Sequence, residues 1–413
     1  MVSSVAPALA TSAQGEATSR SGRHFLVVFA VLASFMGTSV GMAQVSTSLY
    51  AVSLGASQAQ LGLIAGAQSI GVVLVSLPIG MLVDRFGPAR PFLAGTFLAG
   101  VTYALVPLFR SPSWLLACTA LVSFFMPLRF VSLNTVFFSQ LAALGESKAG
   151  FYRGTHMLGM FLVGPALGAL VVSRLGFAVS YWLIAAAFLI TLALAPIVFA
   201  RYTLPPDGRP FDFWPRLRGQ LDLMVRDRAI RNVSCVELST QAAGAFFTFF
   251  VIVLAVKELK LSPNSASNLV GLKGSTYILA LFVLGSLLKR LSKLGYSASF
   301  ITIALGLGAV GLARELPLLW SGALLLGLGL GSVQIATLTQ YARLGARTGH
   351  GRISGMSALV GPSGGVLGNL VGGSLAKWVG LSQVFLLLAS GFAVAAWVSW
   401  RDARRPGRAA LAE

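Results

Sequence analysis

Residues 80–90 read GMLVDRFGPAR and stand between two long apolar segments of the chain. An acidic and a basic residue, Asp84 and Arg85, follow one another where the first apolar segment ends, with Gly80 before them and Gly87 after them. Glycine permits a close approach between helices at the first position and a tight turn at the second. A carboxylate at this boundary can meet the N-terminus of another helix, where the helix dipole favours negative charge. The stretch therefore predicts a short, charged turn between two closely packed helices.

The composition indicates an integral membrane protein. Of the 413 residues, 56% are hydrophobic and only 10% are charged, and the mean hydropathy is +0.81. Soluble proteins have roughly 45–50% apolar and about 25% charged residues, so the chain has too few charges for a soluble surface. The 46 glycines suit helices that pack closely in lipid.

Twelve apolar segments follow one another along the chain, six before and six after a polar stretch. Each is close to the ~20 residues that a helix needs to cross the hydrocarbon core. This layout predicts an all-α integral membrane protein with twelve transmembrane helices in two pseudo-symmetric bundles of six, as in transporters built from internal repeats. The predicted parts are a disordered N-terminal tail, the first bundle, a linker, the second bundle and a C-terminal tail, at residues 1–23, 24–200, 201–231, 232–400 and 401–413.

Basic residues are distributed unequally between the two sides of the predicted bundle. Most of the 31 lysine and arginine residues lie on the side that also holds both termini and the linker. The positive-inside rule places this side in the cytoplasm. We therefore expect a multi-pass protein of the bacterial inner membrane with both termini cytoplasmic. The net charge of +19 is then a topology signal with contacts to anionic lipid, and nucleic acid is not an expected partner.

The turn at residues 80–90 resembles the loop signature of the major facilitator superfamily, G-x-x-x-D-[RK]-x-G-x-[RK]-[RK]. Ala89 stands where the family usually has a base, and the matching residues are Gly80, Asp84, Arg85, Gly87 and Arg90. Through the six-plus-six plan the resemblance covers nearly the whole chain. It implies the fold of that superfamily and alternating access, with this turn as a latch between the two bundles on the cytoplasmic side. We expect Asp84 to meet the N-terminal end of span 11, with Arg352 as its basic partner.

A glycine-rich run on span 5 is similar to a motif of proton-coupled exporters in the same superfamily. The run comprises Gly150, Gly154, Gly159, Gly164, Pro165 and Gly168. It departs from the motif in two ways: one spacing differs by a residue, and Ala169 replaces the last glycine. The similarity favours efflux. Ordinary packing of small residues between helices explains the run equally well.

Polar residues inside the predicted spans are the candidates for a substrate site, because they are costly in lipid and usually face a cavity or a partner. Their spacing and the internal repeat predict one shared central cavity, lined by Arg129, Lys273, Gln44, Gln68, Gln334, Thr276, Tyr277, Thr337 and Tyr341. Arg129 lies near the middle of span 4, and we predict that it anchors a substrate carboxylate or phosphate through two parallel hydrogen bonds. In the alternative, backbone carbonyls or a neighbouring helix neutralise Arg129 and Lys273.

Two residues are candidates for proton coupling. Glu237 is an acidic residue well within span 7, and His156 on span 5 is of a type that titrates near neutral pH. In the alternative, Glu237 stays solvated near the interface and His156 is a hydrogen-bonded residue between helices. No cofactor is expected apart from a proton gradient.

These features predict a secondary active transporter that exports a small amphipathic or anionic compound by alternating access, coupled to protons. The expected partners are an anionic or zwitterionic small molecule and the lipid bilayer, and the expected state is a monomer. An importer of an organic anion or siderophore is the first alternative, and a non-transporting receptor on a transporter scaffold is the second. An enzyme is not expected, since the three histidines form no catalytic or metal-binding pattern and no P-loop motif is present.

Overall fold

The computed structural model describes residues 6–56, 58–144, 149–200, 212–255, 259–261, 263–290 and 295–404. Within these ranges the chain is almost entirely helical and contains no β-strand. An all-helical fold satisfies every backbone hydrogen bond within each segment, which a chain in lipid requires. The predicted fold class is therefore confirmed.

The first half of the chain forms α1 to α6. Their bounds are Ala6–Ser53, Gln58–Phe86, Ala89–Leu105, Pro112–Leu144, Ala149–Leu158 and Gly164–Phe199. A 3-10 turn at Val106–Leu108 follows α3, and a π-helical turn at Gly159–Val163 joins α5 to α6. Gly176 has φ 83° and breaks α6 into two parts, so that α5 and the first part make span 5 and the second part makes span 6.

The second half begins with a short helix, α7, at Phe213–Arg226, and continues with α8 to α13, which make spans 7 to 12. The bounds of α8 to α13 are Arg228–Val253, Pro263–Arg290, Gly295–Leu312, Leu316–Thr348, His350–Val379 and Leu381–Ala403. We call the end of the bundle at which α2 ends and α7 lies the linker side, and the opposite end the far side.

The number of spans agrees with the sequence prediction. Ten segments of the described chain are long and apolar enough to cross a membrane. One of them, Gly150–Phe199, has 50 residues and supplies two spans, because the break at Gly176 lies within it. The glycine- and serine-rich α12 is not among the ten, but its 30 residues are long enough, and it packs against α2, α4 and α8. Together these make twelve.

The buried side chains form separate cores. One core lies entirely in the first half around Tyr181, and another lies entirely in the second half around Phe385. A third contains residues of both halves, among them Phe137, Phe138, Tyr341 and Met356. Tyr341 and Met356 lie toward the linker-side ends of α11 and α12, so the two halves are packed together on that side.

The ends of the chain differ in part from the prediction. The backbone is helical from Ala6, so α1 includes most of the predicted disordered tail at residues 1–23. Alanine is the best helix former, and the four alanines between residues 6 and 13 favour continuation of the helix. The linker holds the helix α7, which the sequence analysis did not predict. Residues 405–413 of the predicted C-terminal tail lie outside the described residues.

Candidate functional site

The latch predicted around Asp84 is built on the first turn of α12. Oδ1 of Asp84 accepts a hydrogen bond from the backbone N–H of Gly351 at 2.7 Å, and Oδ2 accepts one from the N–H of Arg352 at 2.9 Å. The guanidinium Nε of Arg352 lies 3.9 Å from Oδ2. N–H groups in the first turn of a helix have no partner within the helix and carry the positive end of its dipole. The carboxylate of one half therefore caps a helix of the other half.

Small residues bring α2 and α12 together beside this cap. A Cβ atom on Gly80 would lie 2.5 Å from the carbonyl oxygen of Gly351, and one on Gly355 would lie 2.6 Å from the carbonyl oxygen of Ser76. Gly87, with φ 78°, makes the left-handed turn that ends α2. Any side chain at Gly80 would force the two backbones apart.

The remaining predicted latch residues surround this contact, with Arg85 half-buried. The guanidinium of Arg85 lies 5.1 Å from the ring centroid of its neighbour Phe86, and Arg90 is exposed. Thus Gly80, Asp84 and Arg352 meet at the contact between the halves, while Arg85 and Arg90 border it.

The linker helix also holds the start of α12. Nε2 of Gln220 on α7 donates to the carbonyl oxygen of Arg352 at 3.2 Å, and Gln220 is buried. Next to it, Asp227 caps the first turn of α8 and pairs with Arg347 of α11 at 2.7 Å. The sequence analysis did not identify Gln220, because a single glutamine in a polar linker has no pattern that predicts a buried partner.

A second group of polar side chains lies deeper, around Glu237 of α8. We call it the Glu237 cluster: Glu237, Gln241, Tyr277, Gln334, Tyr341 and Ser357. Glu237 is only 4% exposed, and its carboxyl group interacts with Tyr341, Gln334 and Ser357. The Ser357 hydroxyl lies 3.5 Å from Oε2. A buried carboxyl group surrounded by hydrogen-bonding groups can exist in either protonation state.

Gln334 of α11 joins the cluster into one network. Its Oε1 accepts hydrogen bonds from Nε2 of Gln241 at 3.3 Å and from the hydroxyl of Tyr277 at 3.2 Å. Its Nε2 lies 3.4 Å from Oγ1 of Thr337. Four helices of the second half, α8, α9, α11 and α12, therefore meet at this network.

One basic residue of the first half reaches the cluster. Arg153 of α5 lies near the Tyr277 hydroxyl and the Glu237 carboxyl group and interacts electrostatically with both. The sequence analysis did not select Arg153 as a site residue, although its place one turn inside span 5 was an available signal. The structure thereby sets a cation of one half against an anion of the other.

Lys273 and Thr276 take different positions from those predicted. Nζ of Lys273 donates to Oγ1 of Thr248 at 2.9 Å and lies 5.9 Å from the ring centroid of Phe247, both on α8. Thr276 bonds the carbonyl oxygen of Leu272 at 3.0 Å and faces α11. Lys273 therefore lies between α9 and α8, and Thr276 is a packing residue.

Arg129 does not lie with Lys273 and Gln334 in one cavity. It is fully buried inside the first half, where its guanidinium lies 3.8 Å from the ring centroid of Phe188 and Nη2 donates to Oγ1 of Thr191 at 3.3 Å. Both partners are on α6. The prediction failed because depth along a span does not determine the direction of a side chain, and α4 turns this face toward α6. An aromatic face and a hydroxyl compensate the charge.

The other predicted residues of the first half are also apart from the Glu237 cluster. Gln44 and Gln68 are half-buried on α1 and α2 and, among the described residues, are not joined to the cluster by a hydrogen bond. Nδ1 of His156 lies 3.2 Å from the carbonyl oxygen of Ala33, and its ring meets Phe130 edge-on at 5.6 Å. His156 is thus a contact between helices, as the alternative interpretation had it.

Twelve spans in two halves, with a carboxylate of one half capping a helix of the other, define the architecture of a membrane transporter. The family model of the Major Facilitator Superfamily matches residues 27–254 and 233–413, and the chain belongs to this family.

Relatives of known name support this assignment. The chain is 24% identical to the multidrug efflux pump Tap of Mycobacterium tuberculosis over 391 residues, which are 90% of this chain and 91% of that protein. It is 24% identical to a multi-drug resistance efflux pump PmrA homolog of Lactococcus lactis over 363 residues, or 84% and 86% of the two chains.

Solved structures share the fold. The human organic anion transporter MFSD10 (TETRAN) aligns with a TM-score of 0.73 at 16% identity, over 92% of this chain and 99% of that one. The Escherichia coli fucose:proton symporter FucP aligns with a TM-score of 0.68 at 17% identity over the same shares.

Proposed function

We propose that this transporter exports a small amphipathic compound in exchange for protons, as a single chain in the bacterial inner membrane with both termini in the cytoplasm. The observation on which the proposal depends is the Glu237 cluster, which lies where the halves meet and is approached by Arg153 of the opposite half. The names of the two relatives, both efflux pumps, support the direction.

Glu237 is the group that binds and releases the proton. Among the described residues it is the acidic side chain that lies inside a span away from both ends, and its carboxyl group is out of contact with solvent in this conformation. When ionised it attracts Arg153, and when protonated it keeps its hydrogen bond with Ser357 but loses that attraction. Proton binding thereby weakens the contact between the halves.

The latch stabilises one of the two transport conformations. With the linker side in the cytoplasm, the closed contact of Asp84 with Gly351 and Arg352 belongs to the outward-facing state. Opening toward the cytoplasm must break both backbone hydrogen bonds. Alternation then depends on the balance between this cap and the contacts that form on the far side.

The substrate is proposed to have an anionic group beside an apolar body. Arg153 compensates the negative charge of Glu237. The ammonium group of Lys273 binds the hydroxyl of Thr248 and, among the described residues, has no carboxylate partner. A surplus of positive charge favours an anionic ligand. The ring of Phe247 next to Lys273 can contact the apolar part of such a compound.

The experiment is transport of two amphipathic dyes by the purified protein in liposomes with an imposed pH gradient. We expect anionic anilinonaphthalene sulfonate to move in response to the gradient and cationic ethidium to move less. Glu237→Gln should lose the response to the gradient and keep dye exchange, because the variant preserves size and hydrogen bonding. Glu315→Gln makes the same change at an exposed far-side position and should behave as wild type.

Two results would contradict the proposal. Movement of neither dye by the wild-type protein would remove the export function. A Glu237→Gln variant that still responds fully to the gradient would exclude Glu237 as the proton-binding group.

A further inference from the structure

The linker helix α7 has two apolar faces, of which only one is used inside the protein. Leu217, Leu223 and Met224 pack against the core that both halves share, next to buried Gln220. These four residues fall on one side of a helix with 3.6 residues per turn. This face fixes α7 on the linker side of the bundle.

The second apolar face is open. Trp214 is 68% exposed, Leu221 is 47% exposed and Val225 is 66% exposed. Their spacing of seven and four residues places them in one row along α7, beside the protein-facing row. A soluble environment disfavours such a row, whereas the interface of a bilayer favours tryptophan and aliphatic side chains at the depth of the headgroups.

Basic residues border the open row. Arg218 lies next to it on α7, and Arg228 follows at the start of α8; both are exposed, and neither has an acidic partner among the residues that the structure describes. Arg226, in contrast, pairs with Asp222. Arginine beside an apolar row can bind the phosphate of a lipid while the apolar side chains enter the interface.

We propose that the open row of α7, with Arg218 and Arg228, docks on anionic lipid, and that this contact stabilises the closed latch through Gln220. The positive charges of Arg218 and Arg228 favour anionic headgroups such as phosphatidylglycerol over zwitterionic ones. Gln220 transmits the effect, because it is the α7 side chain that holds the carbonyl oxygen of Arg352 beside the Asp84 cap. The proposal does not depend on the substrate or on proton coupling.

The first test is quenching of Trp214 fluorescence by brominated lipid in liposomes that contain phosphatidylcholine and phosphatidylglycerol. The difference between wild type and Trp214→Phe isolates the signal of this tryptophan from the other six. We expect stronger quenching when phosphatidylglycerol is the brominated lipid. The double variant Arg218→Gln/Arg228→Gln should lose this preference, and Arg110→Gln/Arg314→Gln, with the same charge change at exposed far-side positions, should keep it.

The second test measures the latch. Spin labels at Ser113→Cys and Glu315→Cys, both exposed on the far side, report the separation of the halves there, in a background of Cys118→Ser/Cys235→Ser. Replacement of phosphatidylcholine by phosphatidylglycerol should favour the far-side-separated state by roughly fivefold, at the lower end of typical coupling between sites. Gln220→Leu should remove this shift and keep the preferential quenching of Trp214.

The outcomes separate the two parts of the proposal. Equal quenching by both brominated lipids, or no quenching of Trp214 by either, overturns the docking on anionic lipid. Preferential quenching with a lipid-dependent shift that survives Gln220→Leu overturns the role of Gln220. Free glycerol phosphate added to phosphatidylcholine liposomes should cause no shift, and a shift would mean that the site binds phosphate without a membrane.

Discussion

Replacement of Asp84 by asparagine should release the closed latch. The carboxylate accepts two backbone hydrogen bonds, from Gly351 at 2.7 Å and from Arg352 at 2.9 Å. Asparagine has one accepting oxygen, so its NH2 group must face the other N–H donor. The substitution also removes the negative charge from the positive end of the α12 dipole.

The size of the effect follows from these contacts. Loss of one charge-assisted hydrogen bond costs about 1.5–3 kcal/mol, and loss of the charge–dipole interaction costs about 0.3–1 kcal/mol. The guanidinium of Arg352 adds little, since it lies 3.9 Å away and is 44% exposed. A total of about 2–4 kcal/mol shifts the ratio of latched to unlatched protein by roughly 30- to 700-fold.

The assay is the distribution of distances between spin labels at positions 113 and 315 in liposomes. Asp84→Asn should shift the population toward short far-side distances. Arg352→Gln should shift it by less than about fivefold, because an exposed pair at this distance contributes about 0–1 kcal/mol. Asp222→Asn, which breaks an exposed pair on α7, is the matched control and should leave the distribution unchanged.

Two outcomes would refute the reasoning. An unchanged distribution in a folded Asp84→Asn variant would mean that the cap does not stabilise this conformation. Equal shifts in Asp84→Asn and Arg352→Gln would mean that the guanidinium, and not the terminus of the helix, is the partner.

Gly80→Val should favour the unlatched state in the same assay, since its Cβ would lie 2.5 Å from a backbone carbonyl oxygen. Gly66→Val, on the same helix but with open space around it, should leave the distribution unchanged. Equal effects of the two variants would exclude the close contact as the cause. Arg129→Met should keep transport of the anionic dye. It should leave the free energy of unfolding unchanged or raise it by about 1–4 kcal/mol. Loss of dye transport in a folded variant would instead support a substrate role for Arg129. Lys273→Gln should abolish the preference for the anionic dye over the cationic one, whereas Lys260→Gln in the exposed far-side turn should retain it. A Lys273→Gln variant that still prefers the anionic dye would contradict the substrate proposal.

The sequence alone determined the fold class and the number of spans, because apolar length and helical hydrogen bonding are local properties of the chain. It also identified Asp84 and Gly80, since a charged turn with glycines at fixed spacing has few structural interpretations. The tertiary structure decided which side chains of different helices meet. Arg129 and Lys273 were both predicted in one cavity from their depth, yet one faces α6 and the other faces α8.

The contacts of Arg153 and Gln220 could be found only in the folded chain. Arg153 reaches Glu237 and Tyr277 from the other half, and Gln220 reaches Arg352 from the linker. The direction of a side chain depends on the rotation of its helix about its own axis, which the packing of neighbouring helices sets. Uniformly apolar helices in lipid have no polar face to reveal that rotation in their sequence, so hydropathy located the spans and packing alone assembled the site.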